Sequence, residues 1–386
     1  MSSPSLDTLT IYPATPEQTL ESRKRSAVEW SKGRSLEQYV ERDRIMDDHP
    51  HASNGRLTTW VLAPRNDPAT LDFMCSCETF ARDSIVVRRS SLEASAELED
   101  VVGYGVASVF TPESQRRKGY AGHMMRLLHW VLAPHPSLPA FPTRWGSPPP
   151  IAPSVGNATF SVLYSDVGST FYHNCGPDER SSTGWAVQGT QQTIWHVSPP
   201  SSHDAPLKTQ WQGLSLEDVE ILYDTEAQTI RQEIANDAPV GVGFSFLPNK
   251  GVGLFNINRT MRFSGDSLSS YLPFDKWGVV LKDGDNIKAS ATWTLDGSAL
   301  VVTRLRVSPD QFSDLLQQLQ HAARGMNART VEIWNMAPSL QVKAESLGGV
   351  TGNRDEHLPA FKWYGKEDES ELHWFYNEKY VEYPIS

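Results

Sequence analysis

The sequence has little cysteine, no long apolar run and no surplus of positive charge. Its three cysteines are Cys75, Cys77 and Cys175, and an odd number with a C-x-C spacing predicts neither a disulfide framework nor a zinc site. No apolar run approaches membrane-spanning length, and the opening "MSSPSLDTLTIYPATPEQ" lacks the basic and apolar regions of a signal peptide. We therefore expect a cytoplasmic protein with reduced thiols, no membrane partner and no metal.

The charge balance limits the partners of the chain. There are 35 Lys and Arg residues against 46 Asp and Glu, a formal net charge of -11. Broad nucleic-acid binding needs a surplus of cations to replace counterions, so we expect no nucleic-acid partner. The acidic balance is compatible with a cationic substrate, although such a charge also serves solubility alone. It does not indicate an oligomeric state.

The order of predicted elements in the first half favours an α/β arrangement with a mixed sheet. A strand is followed by two helices, three strands, a helix, a strand and a further helix over 167–176, for which Gly176 is a suitable C-cap. This order differs from the strict alternation of a doubly wound fold. The Ser- and Pro-rich "SPPSSHDAPLKTQW" predicts a linker over 198–212, between a domain over 1–197 and a second over 213–386.

The second half repeats part of the first. "ALVVTRLRVSPDQFSDLLQQLQHAARG" predicts a strand, a Ser-Pro turn and an amphipathic helix, and "RTVEIWNMAPSLQVKAESLGG" predicts a strand and a helix ending in glycine. The first copy has "RRKGYAG" at the entry of its helix, where the second has "FSDLLQQ", with neither glycine nor basic residues. We interpret the second copy as a scaffold.

The stretch "VFTPESQRRKGYAGHMMRLL" leads from an apolar strand through a basic turn into a helix. The unpaired amides and the dipole of a helix start suit a phosphate or pyrophosphate. Gly119 would let the backbone approach an anion, and Ala121 and Gly122 keep the first turn slim. Three neighbouring cations could add charge-assisted contacts: Arg116, Arg117 and Lys118. A solvated basic turn before an ordinary helix is the alternative.

These residues carry a resemblance. "RRKGYA" fits the R/Q-x-x-G-x-G/A motif of the GNAT superfamily of acetyltransferases. "VASVFTPESQ" resembles the strand that carries the pantetheine arm there, and "FYHNCG" resembles the helix with the general-acid tyrosine. Several phrases are similar to the fungal L-lysine N-acetyltransferases of lysine catabolism: "TTWVLAP", "CETFARDSIVV", "ASVFTPESQRRKGYAGHMM", "FSVLYSDVGSTFY" and "NEKY".

The resemblance implies a mixed-sheet GNAT fold in the N-terminal half and a second, degenerate GNAT-like half that contributes to the acceptor site. It implies acetyl transfer from acetyl-CoA, the co-substrate, to a small-molecule amine, the N6-amine of free L-lysine, by direct attack in a ternary complex with Tyr172 as general acid. A free backbone N–H near Val109 would stabilise the oxyanion. The implied acetyl-CoA contacts are Val109, Phe110, Thr111, Gln115, Arg116, Arg117, Lys118, Gly119, Tyr120, Ala121 and Gly122.

Two residues are candidates for the proton transfers. An amine with a pKa of about 10.4 must lose a proton before it attacks. Glu78 is the best candidate base: strand alternation places it on the face opposite Cys75 and Cys77, and an unpaired buried charge on a central strand is costly. The alternative for Glu78 is an exposed glutamate or a partner of Arg82. The alternative for Tyr172 is a core tyrosine with its hydroxyl at the edge.

Other residues have a structural interpretation. Cys175 suggests a ping-pong mechanism, but a buried structural cysteine is the commoner case. We expect His123 and His129 to be packing or surface residues, Glu113 to be a helix-capping or solvated residue, and Asp166 to cap the next helix.

Two questions stay open at the level of sequence. The aromatic tail "ELHWFYNEKYVEYPIS" either docks between the halves and shapes the acceptor pocket or is a plain final strand. The alternative functions are acetylation of protein lysines or polyamines, and CoA binding without catalysis.

Overall fold

The computed structural model describes residues 4–199, 210–263 and 275–383. Most of the predicted linker over 198–212 therefore lies outside the described residues. Within them, the α-helices are α1 (Pro16–Trp30), α2 (Leu36–Asp47), α3 (Tyr120–Leu132), α4 (Thr170–His173), α5 (Leu216–Asp237), α6 (Phe255–Phe263), α7 (Pro309–Gly325) and α8 (Pro338–Ser346).

The strands form two mixed sheets. The strands, in chain order, are β1 (Leu9–Pro13), β2 (Leu57–Pro64), β3 (Cys75–Arg89), β4 (Glu97–Phe110), β5 (Ala158–Ser165), β6 (Ala186–Val187), β7 (Gln191–His196), β8 (Trp211–Leu214), β9 (Gly241–Phe246), β10 (Gly278–Asp283), β11 (Asn286–Asp296), β12 (Ala299–Arg306), β13 (Thr330–Trp334), β14 (Val350–Asn353), β15 (Leu358–Trp363) and β16 (Leu372–Trp374).

The first sheet has the order β1-β2-β3-β4-β5-β15-β6, and β9 joins β3 and β16. Its β4 and β5 are parallel, whereas β1 to β4 are antiparallel neighbours. The second sheet has the order β14-β7-β13-β12-β11-β10-β8, and β12 and β13 are its parallel pair. The predicted mixed sheet and the predicted repeat are confirmed.

The two sheets exchange strands along the chain. β7 precedes the predicted linker but lies in the second sheet, and β9, β15 and β16 follow the linker but lie in the first. The sheets are therefore not contiguous in sequence, and the domain limits at 1–197 and 213–386 stay a prediction.

Local signals explain the first helices. Thr15 and Ser35 each accept a hydrogen bond from the backbone of a glutamine three residues later, and that glutamine side chain binds the cap backbone in return. Such capping boxes satisfy two amides at a helix start. The predicted apolar face of α3 is also confirmed, since Met124, Leu127 and Leu128 are fully buried against the first sheet. Among the described residues, no helix is both long and apolar enough to cross a bilayer.

Candidate active site

β4 and β5 begin as a parallel pair and then part. They are paired from Val102–Ala158 to Val106–Leu163. Beyond that point β4 continues along β3 to Phe110, while β5 continues along β15. The β3–β4 ladder also shifts register after Ser76. A bulge and a diverging neighbour leave backbone groups of β4 outside the parallel ladder, so a wedge-shaped opening faces the predicted acetyl-CoA strand.

The turn after β4 leads directly into α3. A 3-10 turn over Glu113–Gln115 is followed by Arg117 at φ 62° and Gly119 at φ 83°. Gly119 is the N-cap of α3, and no side chain caps the helix. Its left-handed backbone favours glycine, and the first-turn amides of α3 have no preceding carbonyl within the helix. The geometry of an anion cradle is therefore present at the predicted place.

The cations of the turn are exposed. Arg116 donates from Nε to the carbonyl oxygen of Thr111 at 3.0 Å and forms an ion pair with Glu29 of α1. Lys118 donates to Oε1 of Gln115 at 3.0 Å. Exposed ion pairs contribute at most about 1 kcal/mol, so a phosphate could replace these partners.

Other predicted contact residues pack their side chains into the protein beneath the turn. Phe110 is buried with its ring edge-on to Trp30 at 5.2 Å between centroids. The hydroxyl of Thr111 donates to Sγ of Cys75 at 3.2 Å, and the ring of Tyr120 is buried in the core under α3. The rings of Phe110 and Tyr120 are buried, so only their backbone is available to a cofactor.

Three small or partly buried residues complete the predicted set. Val109 and Ala121 are partly buried against the same core. A Cβ at Gly122 would lie 3.4 Å from Arg126 and 3.8 Å from Cys175. These are ordinary van der Waals distances, so the slim first turn at Gly122 stays a prediction from the sequence.

Glu78 lies beside the opening. Its cross-strand neighbour on β4 is Ala107, and the hydroxyl of Ser108 donates to its Oε2 at 2.7 Å. Burial raises the pKa of the Glu78 carboxyl to about 7, although the charge of Arg23 opposes the shift. A carboxyl with this pKa exchanges protons at neutral pH. The alternative partner, Arg82, instead donates to the carbonyl oxygen of Val381 at 2.6 Å.

Tyr172 lies in α4, a single helical turn packed under the first sheet. Its side chain belongs to the core that contains Cys75 and Trp185. Burial, together with the nearby Cys75, raises the pKa of the Tyr172 phenol well above its ordinary value. The phenol is therefore protonated at neutral pH, as a general acid requires.

The predicted helix over 167–176 is wrong in extent. Only Thr170–His173 is helical, and its C-cap is Asn174 rather than Gly176. The chain around Thr183 and Gly184 packs closely against this helical turn. A Cβ at Gly184 would lie 2.1 Å from the carbonyl oxygen of Tyr172, and one at Gly176 would lie 1.9 Å from Oγ1 of Thr183. Both glycines are needed for this close approach, which local sequence does not reveal.

Glu78 and Tyr172 lie on opposite faces of the first sheet. Tyr172 packs with Cys77 on the α3 face, whereas Phe80 packs with Met46 on the other face. Alternate residues of β3 face opposite sides, so Glu78 shares the face of Phe80.

A pocket beside Glu78 contains charges of both signs. α1, α2, β3, β4 and α6 line it. Its charged lining residues are Arg23, Arg42, Asp43, Asp47, Glu78 and Arg259. Arg23 donates to Asp47 at 2.6 Å. Burial, and then the charge of Arg42, lowers the pKa of the Arg259 guanidinium to about 10.

Apart from Glu78, the sequence did not single out these pocket residues. "ERDRIMDD" resembles an ordinary solvated helix face, and Arg259 lies more than two hundred residues further along. Only the tertiary fold brings α2 and α6 together.

The remaining candidates have structural roles. His129 bonds to the carbonyl oxygen of Cys175 and to the hydroxyl of Tyr364, each at 2.8 Å, and His123 is also buried. The prediction of packing is confirmed for both histidines. Burial raises the pKa of Cys175 to about 11, which disfavours the thiolate that a ping-pong mechanism needs.

Two further expectations are now resolved. Glu113 is exposed in the turn, in agreement with a solvated residue. The capping prediction for Asp166 is wrong: the N-cap of α4 is Ser169, and Oδ1 of Asp166 accepts a hydrogen bond from the backbone of His357 at 2.8 Å. The Asp166 carboxylate therefore binds the backbone of the distant loop that contains His357.

The chain is similar to a family model and to a curated protein. Residues 195–382 match the family model described as the LYC1 GNAT-like C-terminal domain. A protein of Yarrowia lipolytica (strain CLIB 122 / E 150) named "Lysine acetyltransferase" is 27% identical over 165 residues, which are 42% of this chain and 38% of that protein. The chain thus spans well under half the length of this curated relative.

Solved structures share the fold. A conserved protein of unknown function from Enterococcus faecalis V583, described as a probable N-acyltransferase, superposes with a TM-score of 0.54 at 8% identity, over 92% of this chain and 72% of that one. A GCN5-related N-acetyltransferase from Anabaena variabilis ATCC 29413 gives 0.50 at 12% identity, over 92% and 73%. The chain has a two-part GNAT-like fold, and it resembles the GNAT N-acetyltransferases and, among them, a fungal lysine acetyltransferase.

Proposed function

We propose that the chain is an acetyl-CoA-dependent N-acetyltransferase whose acceptor is the side-chain amine of a free basic amino acid, L-lysine first among them. The observation that carries the proposal is Glu78: a partly buried carboxyl with a pKa near 7, placed where β4 leaves β5 and facing a pocket of mixed charge. A base poised near the working pH suits proton removal from an amine.

The opening and the turn supply the contacts for acetyl-CoA. The pantetheine arm would lie between β4 and β5, and the pyrophosphate would meet the uncapped amides after Gly119. Lys118 and the neighbouring arginines would add charge. The fit rests on a left-handed glycine and a free helix start, which together make room for an anion.

The reaction needs three proton transfers and one oxyanion contact. The Glu78 carboxylate accepts a proton from the ammonium group, and the neutral amine attacks the thioester carbonyl. A backbone N–H of β4 near Val109 donates to the developing oxyanion. The tetrahedral intermediate then breaks its C–S bond, the amide forms, and the leaving thiolate takes the phenolic proton of Tyr172. Glu78 releases the first proton to solvent, then takes the second proton of the attacking nitrogen and releases it too, and Tyr172 regains a proton from solvent, so the net products are the amide, the CoA thiol and one proton.

The charged pocket supports a zwitterionic acceptor. Asp43, Asp47 and Glu78 suit ammonium groups, and Arg42 and Arg259 suit a carboxylate. A free basic amino acid carries both kinds of charge at once, whereas a polyamine carries only ammonium groups. The printed name of the Yarrowia lipolytica relative, lysine acetyltransferase, is consistent with this acceptor.

A panel of amines tests the proposal. The protein is incubated with acetyl-CoA and lysine, ornithine, polyamines or histone-tail peptides, and free thiol and acetylated product are measured together. We expect free lysine to give the highest kcat/KM. A preference for peptides or polyamines would contradict the acceptor assignment and leave acetyl transfer intact. CoA binding by calorimetry without turnover on any amine would contradict catalysis.

A further inference from the structure

The second sheet repeats the opening of the first. The β11–β12 ladder shifts register between Thr292 and Trp293, and β12 and β13 pair only from Ala299–Thr330 to Val301–Glu332. Beyond Val301, β12 and β13 no longer pair with each other. β12 then leads into α7 as β4 leads into α3. The two halves therefore share a bulge, a diverging parallel pair and a following helix.

A later part of the chain occupies this second opening. We call Asn377–Tyr383 the anchor segment. Glu378 accepts a hydrogen bond from the backbone N–H of Leu305 through Oε2 at 2.9 Å, and one from Nη1 of Arg304 through Oε1 at 2.7 Å. On the β13 side, Nδ2 of Asn335 donates to the carbonyl oxygen of Asn377 at 2.6 Å. The anchor segment is thus bonded to both sides of the opening.

The Arg304 contact is a buried one. Arg304 is 2% exposed and also donates to Oε2 of Glu226 on α5 at 2.9 Å. Its guanidinium lies over the ring of Tyr376, 4.4 Å from the centroid. A buried cation needs its partners, because removing one leaves charge uncompensated. The Glu378 carboxylate is therefore a strong tether between the anchor segment and β12.

The other end of the anchor segment reaches the acceptor pocket. Val381 accepts the hydrogen bond from Arg82 described above. The ring of Tyr383 stacks on Phe255 at 3.9 Å between centroids and meets Phe80 edge-on at 4.7 Å. Both phenylalanines line the pocket that contains Glu78. The anchor segment therefore connects the opening of the second sheet to the pocket wall in the first.

We propose that the second opening serves as a socket for the anchor segment, and that Glu378 is a positioning residue that sets the acceptor pocket through Tyr383. The socket does not accept a cofactor arm, since Glu378 uses the Leu305 amide, the entry of α7 at Ser308 has no glycine, and Arg306 before it is paired with Glu226 and Glu233. The kinetic consequence rests on the proposed function. The anchoring itself does not.

The kinetic test compares Glu378→Ala and Glu378→Gln in the full chain. Loss of the carboxylate should raise the KM for lysine about tenfold, the equivalent of about 1.4 kcal/mol, and leave the KM for acetyl-CoA within twofold. The glutamine variant still accepts the Leu305 N–H, so it should recover part of the loss. Glu371→Ala, at an exposed turn just before β16, is the matched control and should match the unmodified protein.

Equal rises in both KM values, or an unchanged KM for lysine in Glu378→Ala, would overturn the positioning role. Hydrogen exchange provides a readout that needs no activity. Amides of Asn377–Tyr383 should exchange at least tenfold faster in Glu378→Gln, while those of β4 keep their rates. Unchanged exchange in the anchor segment would overturn the socket even if the protein acetylated none of the amines. A Glu378→Ala chain that fails to fold leaves the decision to the Glu378→Gln data.

Discussion

The helices α3 and α7 each follow a strand that diverges from its parallel neighbour, yet the residues at their N-termini differ in charge and backbone conformation. α3 begins at a left-handed glycine with exposed cations before it. α7 begins at Ser308 and Pro309, with Asp310 in its first turn. Backbone architecture alone therefore does not make an anion site. A few residues at the helix start decide whether the amides face a phosphate or only solvent.

The strands before these helices differ in the same way. Immediately after the register shift, β3 carries Glu78, which has a partly buried carboxyl. In the corresponding place β11 carries Trp293, which is fully buried and apolar. One half thus has both a candidate base and an anion cradle. The other half has a packed core and an occupied opening.

Gly119→Glu should have the strongest effect on the difference between the entries of α3 and α7. The side chain strains a backbone at φ 83° and places negative charge where the pyrophosphate would bind, so we expect CoA affinity to fall more than a hundredfold. The matched control is Ser308→Glu, at the N-cap of α7, which should leave affinity unchanged. Calorimetry with CoA measures both variants, and retained affinity in Gly119→Glu would refute the pyrophosphate assignment.

Tyr172→Phe should lower kcat by about a thousandfold, in the range that general acids contribute, and leave CoA affinity unchanged. Tyr223→Phe is the control in the second half, where the hydroxyl of Tyr223 bonds to Thr292 at 2.7 Å and to Thr303 at 3.0 Å. This control should lose stability but not turnover. An unchanged kcat in Tyr172→Phe would remove Tyr172 from the mechanism.

Glu78→Gln should lower kcat/KM for lysine by about a hundredfold. Because the active form of Glu78 is the carboxylate, log kcat/KM of the unmodified protein should rise with pH and bend near pH 7, following the pKa of about 7. The glutamine variant should lack this bend. Steady-state kinetics from pH 5.5 to 9 measure the profile, and a bend retained in the variant would assign it to another group.

The same variant should also change the stability of the folded chain. The pKa of Glu78 is about 7 in the folded chain and about 4.3 unfolded, so between these values the folded state binds more protons. Stability conferred by the protonated carboxyl is therefore lost as pH rises through this window. The free energy of unfolding of Glu78→Gln relative to the unmodified chain should rise by up to about 3 kcal/mol from pH 4 to pH 8. Urea unfolding at both pH values tests this, and a pH-independent difference would contradict the raised pKa.

Local signals were sufficient for much of the fold and for the geometry of the turn before α3. The Thr15 cap, the left-handed Gly119 and the apolar face of α3 depend on neighbours within a few residues, and each has its expected place. Glu78 could be identified from the sequence because strand alternation is a local property.

The charged lining of the pocket beside Glu78 could not be predicted, because its parts meet only after folding. Arg42 and Arg259 come from helices in different halves, and Tyr383 reaches Phe80 across some three hundred positions of sequence. The error at Gly176 has the same origin, since that glycine serves a returning chain rather than a helix end.

The exchange of strands has a consequence for biosynthesis. β15 lies between β5 and β6, and β9 needs β16 beside it, so the first sheet stays incomplete until Trp374 has left the ribosome. The nascent N-terminal half must meanwhile keep the open edges of β3 and β5 from pairing with other chains. Folding should therefore be largely post-translational and slow, as expected when sequence-distant contacts close the sheet.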